Sequence, residues 1–230
     1  MKREAREPLP RALLSCWAKR SIFDFVLLLQ NFAQSDRGMN TLTAVLLAGG
    51  ESRRMGRDKA TIEFDGRPLW KRQLELLRSL GPETTLVSVR AASTWLPREI
   101  ATLLDDSPSR GPLSGLAKAL AAMRTTHLLA LAVDMPFMVP EELRELFRLA
   151  LPGRGVVPTI AGRAEPLAAI YPVEAAADFQ AALAGSDFSL QSLVRTLAAA
   201  GKVELMPIAQ SAALRYRSIN SAEDFPEFNA

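Results

Sequence analysis

Leu42-Thr43-Ala44-Val45-Leu46-Leu47 runs directly into Ala48-Gly49-Gly50-Glu51-Ser52-Arg53-Arg54-Met55-Gly56-Arg57-Asp58-Lys59. The first six residues form a short apolar run, which predicts a buried strand. The paired glycines that follow let backbone N–H groups approach an anion with no Cβ in the way. Arg53, Arg54, Arg57 and Lys59 then surround that nest with positive charge. A triphosphate needs both ingredients, amides for shape and cations for charge. The loop is not a Walker A loop, because Gly56 is followed by Arg57-Asp58, and it is not the dinucleotide fingerprint, because Gly49 and Gly50 are adjacent. Read alone, it leaves open a plain glycine-rich turn with a solvated basic face.

Outward from residue 42 the chain alternates short apolar runs with amphipathic stretches, the pattern of βαβ units around a mainly parallel sheet. Strands are predicted at 42–47, 84–89, 101–104, 128–133, 155–157 and 167–171. Helical spacing links Leu113, Leu116, Ala117, Leu120 and Ala121, then Leu143, Leu146, Phe147 and Ala150, and later Leu190, Leu193, Val194 and Leu197. Asp65-Gly66 reads as a tight turn between Ile62–Phe64 and a helix beginning near Pro68. The fold class expected is therefore α/β with a mainly parallel sheet.

In such sheets ligands bind beyond the carboxyl ends of the strands, and two further strand ends carry acid. Leu103-Leu104 runs into Asp105-Asp106, and the strand at 128–133 runs into Asp134-Met135-Pro136. A carboxylate in that position can hold Mg²⁺ against phosphate oxygens. It can instead cap a following helix. That alternative is weaker for Asp134, because the next helix is predicted to start only near Pro140-Glu141-Glu142. Gly111-Pro112 opens another helix close to the acidic pair, with free N-terminal amides.

Composition narrows the chemistry. The 230 residues are 48% apolar and 23% charged, which excludes disorder and collagen-like repetition. One cysteine, Cys16, forms neither an intramolecular disulfide nor a cysteine-based zinc site, and a reducing cytoplasm is the expected compartment. One histidine, His127, opens an apolar run and reads as structural, so catalysis is expected to use carboxylates, cations and backbone amides. The net charge of +3 sits entirely in residues 1–38, and the balanced remainder is a poor nucleic-acid binder. Within that segment Ile22, Phe25, Val26, Leu29, Phe32 and Ala33 share a helical stripe that is too short and interrupted to span a bilayer. Because Met39 leads straight into the first strand, residues 1–38 are expected to be an extension, either absent from the natural chain or partly disordered, and residues 39–230 a single domain.

Taken together, these blocks resemble a known family. Leu47-Ala48-Gly49-Gly50-x-Ser52-x-Arg54-Met55-Gly56-x-Asp58-Lys59 is similar to the loop of nucleotidyltransferases of the molybdenum cofactor guanylyltransferase type. Asp65-Gly66-x-Pro68-Leu69, Asp106-Ser107 with Gly111-Pro112-Leu113, Asp134-Met135-Pro136-Phe137, Glu165-Pro166-Leu167-x-Ala169-x-Tyr171 and Ile219-Asn220 with Glu223-Asp224 follow in the family's order. The similarity covers roughly residues 42–225. It implies a Rossmann-like three-layer sandwich of the nucleotide-diphospho-sugar transferase type that moves GMP from GTP onto the phosphate of molybdenum-molybdopterin, with molybdoenzyme apoproteins or their chaperones as further partners. By position it implies Leu47, Ala48 and Gly49 as the GTP-cradling backbone, Lys59 as a phosphate contact, Asp106 as a nucleotide contact, Asp134 as the Mg²⁺ ligand and Arg54 on the leaving pyrophosphate. Two positions depart from the pattern. Ser88 stands where a nucleotide-contacting Asn occurs, and Ser218 replaces the first residue of an Asn-x-Asn pair, leaving Asn220. A cytidylyl or sugar-phosphate transferase of the same fold, or a non-catalytic nucleotide-binding module, remains the alternative.

Overall fold

A computed structural model describes residues 40–49, 58–106 and 108–219. The extension with its stripe and Cys16, Gly50 to Arg57 with Arg54, Ser107, and Asn220 with Glu223 and Asp224 lie outside the described residues, as does the boundary expected at residue 39. The strands are β1 (Leu42–Leu47), β2 (Glu63–Phe64), β3 (Arg67–Pro68), β4 (Thr84–Val89), β5 (Thr102–Leu104), β6 (His127–Ala132), β7 (Gly155–Ile160), β8 (Arg163–Ala164), β9 (Ala168–Pro172) and β10 (Val203–Pro207). The helices are α1 (Leu69–Arg78), α2 (Pro112–Ala122), α3 (Pro140–Leu149), α4 (Ala176–Ala184) and α5 (Leu190–Ala199).

The main sheet runs β10-β7-β9-β6-β1-β4-β5, with β8 paired to β7. Every pairing along it is parallel except those of β9, which runs antiparallel to both β6 and β7. The period-two alternation of a strand buried on both faces is visible in β1. Leu42, Ala44 and Leu46 face a core built with α1 and α3, while Val45 and Leu47 face one built with α2, α4 and α5. These are the three layers that the resemblance implies.

Several local details follow from single residues. Asp65 and Gly66 have φ of 51° and 69°, so the predicted turn is a hairpin turn of left-handed residues joining β2 to β3, and α1 begins directly after it. Gly115 on α2 faces β1 and β4, and a Cβ there would lie 2.4 Å from Ser88 Oγ and 2.8 Å from Leu47 Cδ2. The missing methyl is what allows the helix to lie this close to the sheet. His127 is buried, with Nδ1 2.9 Å from Thr126 Oγ1 and Nε2 3.0 Å from the Leu151 carbonyl. Burial holds its pKa below the ordinary value, and its role is structural.

β6 and β9 are each displaced by one residue from the predicted spans, and β7 continues to Ile160 because β10 and β8 supply partners to its second half. Ala121 faces solvent, and Ala119 takes the buried position on α2. Helix α4 and strands β3, β8 and β10 lie outside the expected elements.

Candidate active site

β1, β4, β5 and β6 are mutually parallel, so their carboxyl ends open on one edge of the sheet. β1 is the point where the connections reverse, since the chain moves from it to β4 and β5 on one side and then to β6 on the other. Open α/β sheets place ligands at such a point. A cleft of about 210 Å³ lies there, lined by Leu47–Gly49, Lys59, Ser88, Asp105, Gly111 and Asp134 among others.

The floor is backbone held by strand-end hydrogen bonds. Ala48 donates to the Ser88 carbonyl at 2.9 Å, and Val133 donates to the Leu47 carbonyl at 3.0 Å. A Cβ on Gly49 would lie 3.2 Å from the Arg90 amide nitrogen, so glycine lets the chain at this point lie close to the end of β4. Gly111 has φ +64°, which turns the chain into α2 and brings Gly111 and Pro112 to the cleft wall.

Lys59 and Asp134 meet across this floor. Asp58 orients the short 3₁₀ turn Lys59–Thr61, accepting hydrogen bonds from Ala60 N at 3.0 Å and from Trp95 Nε1 at 2.8 Å. Lys59 Nζ then donates to Asp134 Oδ2 at 3.1 Å, and the two side chains are only 19% and 20% exposed. Asp134 does not cap α3. That helix starts at Pro140 after Val139, and among the described residues no side chain caps it. The reading of Asp134 as a helix cap is therefore set aside. Likewise Gly111, not Asp105 or Asp106, precedes α2.

The acidic pair divides between two surfaces. The Asp105 carboxylate lines the cleft, 3.4 Å from Ser88 Oγ and 2.7 Å from Ser109 Oγ, which donates to it. Asp106, the expected nucleotide contact, is turned outward instead, with its side chain 86% exposed and 2.7 Å from Lys118 Nζ. Leu47, Ala48, Gly49, Lys59 and Asp134 are thus brought together, Asp106 is not, and Arg54 lies outside the described residues.

The Glu165-Pro166-Leu167 block forms the opposite rim. The Leu167 carbonyl accepts from Ala132 N at 2.8 Å, and fully buried Tyr171 donates to the Pro166 carbonyl at 2.8 Å, so the block locks the cleft rim to β9. Burial pushes the Glu165 carboxyl above its usual range, opposed by the nearby Arg163 guanidinium.

Three aspartates line the cleft; both oxygens of Asp58 accept hydrogen bonds, from Ala60 N and Trp95 Nε1, and Asp105 and Asp134 open onto it as hard oxygen donors. Among the described residues no group of three or more His, Cys, Asp or Glu side chains is placed to hold an ion. That donor set fits Mg²⁺, which takes one or two carboxylates and completes its shell from phosphate and water. No helix among the described residues is long and apolar enough to cross a membrane.

The chain is similar to known proteins over most of its length. The model of the MobA-like NTP transferase domain matches residues 44–202. A probable molybdenum cofactor guanylyltransferase from Opitutus terrae is 36% identical over 188 residues, covering 80% of this chain and 93% of that one. Another from Chloroflexus aggregans is 32% identical over 162 residues, covering 68% and 77%. The crystal structure of molybdopterin-guanine dinucleotide biosynthesis protein A from Archaeoglobus fulgidus shares the fold with a TM-score of 0.64 at 22% identity, over 79% of this chain and 94% of that chain. With the family model spanning the strands and helices that build the cleft, the chain belongs to the MobA-like NTP transferase family.

Proposed function

We propose that this protein transfers GMP from GTP to the terminal phosphate of molybdenum-molybdopterin, forming the guanine dinucleotide cofactor. A pterin phosphate oxygen attacks the α-phosphorus, the bond from the α-phosphorus to the bridging oxygen breaks, and pyrophosphate leaves. The observation that carries this reading is the Lys59–Asp134 pair, 3.1 Å apart at the floor of the strand-end cleft beside the first glycine loop. The names of the relatives in Opitutus and Chloroflexus supply the guanylyl and molybdenum parts of it.

Attack of one phosphate on another brings anion to anion, so the barrier is electrostatic and positional. The nucleophile is already ionised near neutral pH, and no general base is required. The backbone of Leu47, Ala48 and Gly49 cradles the nucleotide, Lys59 meets its phosphates, and Arg54 meets the departing pyrophosphate. We assign the nucleotide contact within the acidic pair to Asp105, whose carboxylate lines the cleft, in place of Asp106. Asp134, with Asp105 nearby, would hold Mg²⁺. When bound, that ion supplies positive charge to the reacting phosphates.

The test is pyrophosphate release with each of the four nucleoside triphosphates, with and without molybdopterin. GTP is expected to be used at least about tenfold better than CTP, because a base that leaves buried polar groups unpaired loses more than about 1.4 kcal/mol. Equal use of CTP moves the protein to the cytidylyl branch. Lys59→Ala is expected to raise the KM for GTP about tenfold, since its ammonium meets charge already present in the bound substrate. An unchanged KM would remove Lys59 from the phosphate site.

A further inference from the structure

The segment from Asp134 to Met138 joins β6 to α3 outside any ladder, yet three successive carbonyls in it are each held by a different donor. Ile219 N donates to the Asp134 carbonyl at 2.8 Å. Gln73 Nε2 donates to the Met135 carbonyl at 2.5 Å, and Arg72 Nε donates to the Pro136 carbonyl at 3.1 Å. The last two donors are neighbours on α1, a helix that contributes no side chain to the cleft lining.

Gln73 is the unusual member. It is fully buried, on the same stripe of α1 as Leu69 and Leu77, and it lies at the edge of a core that includes Leu74, Met135 and Met138. Its Oε1 is buried with no hydrogen-bond partner among the described residues. A leucine or methionine at this position would fill the core without leaving an unpaired oxygen. The Met135 carbonyl does not depend on Gln73 to be satisfied, because Met138 N also donates to it at 3.2 Å. What the amide adds is a rigid link from α1 to the backbone directly after Asp134.

Resting on the reading above, we infer that Gln73 is a positioning residue that holds the Asp134 carboxylate toward the reacting phosphates, with Arg72 as its weaker partner. Its own side chain touches no substrate. The effect of removing it should therefore fall on the rate and on cation affinity while leaving nucleotide binding unchanged.

The experiment uses the full chain carrying Gln73→Met, which keeps the length and removes the donor. Four quantities are measured: kcat and KM for GTP, affinity for Mn²⁺ in the presence of a non-hydrolysable GTP analogue by electron paramagnetic resonance, and thermal melting. We expect kcat to fall about tenfold, the Mn²⁺ dissociation constant to rise about fivefold, the KM for GTP to stay within twofold, and the melting temperature to hold or rise. A kcat and a Mn²⁺ affinity both within twofold of wild type would overturn the inference and leave Gln73 a packing residue. If Gln73→Met does not melt cooperatively, Arg72→Ala, at a half-buried position, is read in the same way. A threefold fall in kcat with unchanged KM then supports the inference, and an unchanged kcat overturns it. Wild type and Asp134→Asn measured alongside separate the two levels of claim. A wild-type protein that releases no pyrophosphate from GTP and molybdopterin defeats the proposed function itself. A fully active Asp134→Asn protein removes Asp134 from the chemistry and the inference with it, and an inactive Asp134→Asn protein beside a normal Gln73→Met protein defeats only the positioning role.

Discussion

Asp134→Asn is expected to lower pyrophosphate release by two orders of magnitude or more while the protein still melts cooperatively. Asn keeps the shape of the side chain and removes the charge, so whatever depends on carboxylate geometry alone survives. The loss is concentrated in the transition state, where phosphate charge is greatest, and about 3 kcal/mol of barrier corresponds to the expected fall. A capping aspartate would behave differently, since Asn caps a helix about as well as Asp. Asp134 has no helix to cap, because α3 begins after Val139. Its neighbour is the ammonium of Lys59 at 3.1 Å. The assay is metal-dependent pyrophosphate release across a range of Mg²⁺ concentrations. A normal rate with normal Mg²⁺ dependence would remove Asp134 from the chemistry and the proposed mechanism with it.

Gly155→Ala should cost the fold more than any substitution in the cleft. β7 passes β9 so closely at this residue that a Cβ would lie 2.0 Å from the Ile170 carbonyl oxygen and 3.0 Å from Pro172 Cδ. The obstructing atom at 2.0 Å is backbone in the middle of a sheet and has no rotamer to escape into. β7 and β9 must separate, which loosens the antiparallel strand that joins β6 to the β7–β10 pair. Overpacking costs about 1–3 kcal/mol, and an obstructing backbone atom puts this site at the upper end, about 3 kcal/mol. For a chain of this length that is a fall in melting temperature of roughly 6–12 °C. Melting within about 2 °C of wild type would mean that the strand pair relaxes freely and that the close approach is not a constraint.

How much of this was legible in the sequence depends on how strong each local pattern is. β1, with its six buried residues, and the acid that follows β6 could be read directly, because apolar runs of this length bounded by glycine or proline read as buried strands. Asp65-Gly66 gave away its tight turn through the left-handed backbone that few other residue pairs accept, but not the two-residue strand β3 that makes the turn a hairpin. α4 gave no stripe, because in Ala176–Ala184 only Phe179 is fully buried and the alanines around it look alike on every face. β10 is an edge strand with only Val203 fully buried, so its sequence carries no alternation. The choice between Asp105 and Asp106 rests on parity. Asp105 continues the β4–β5 register by donating to the Val89 carbonyl, and adjacent residues of an extended chain face opposite ways. No property of two identical neighbouring residues reveals which of them turns inward. Gln73 did leave a trace, a polar residue midway between Leu69 and Leu77, but such a break gains meaning only once the loop it serves is in view.

Gly115 acts as a spacer whose thickness is zero. It sits one turn along α2 from Gly111 and Pro112, which form part of the cleft wall, and it sets the gap between that helix and the Leu47 and Ser88 side chains beneath it. A helix moves as a rod, so a carbon added at this interior point would lift the wall along with the core. The dimensions of the opening are in this sense adjustable from behind, by residues that never meet a ligand. A lineage or an engineer seeking room for a different nucleotide has a dial at residue 115, which presses on the lining side chains of Leu47 and Ser88 from the helix side without changing their identity.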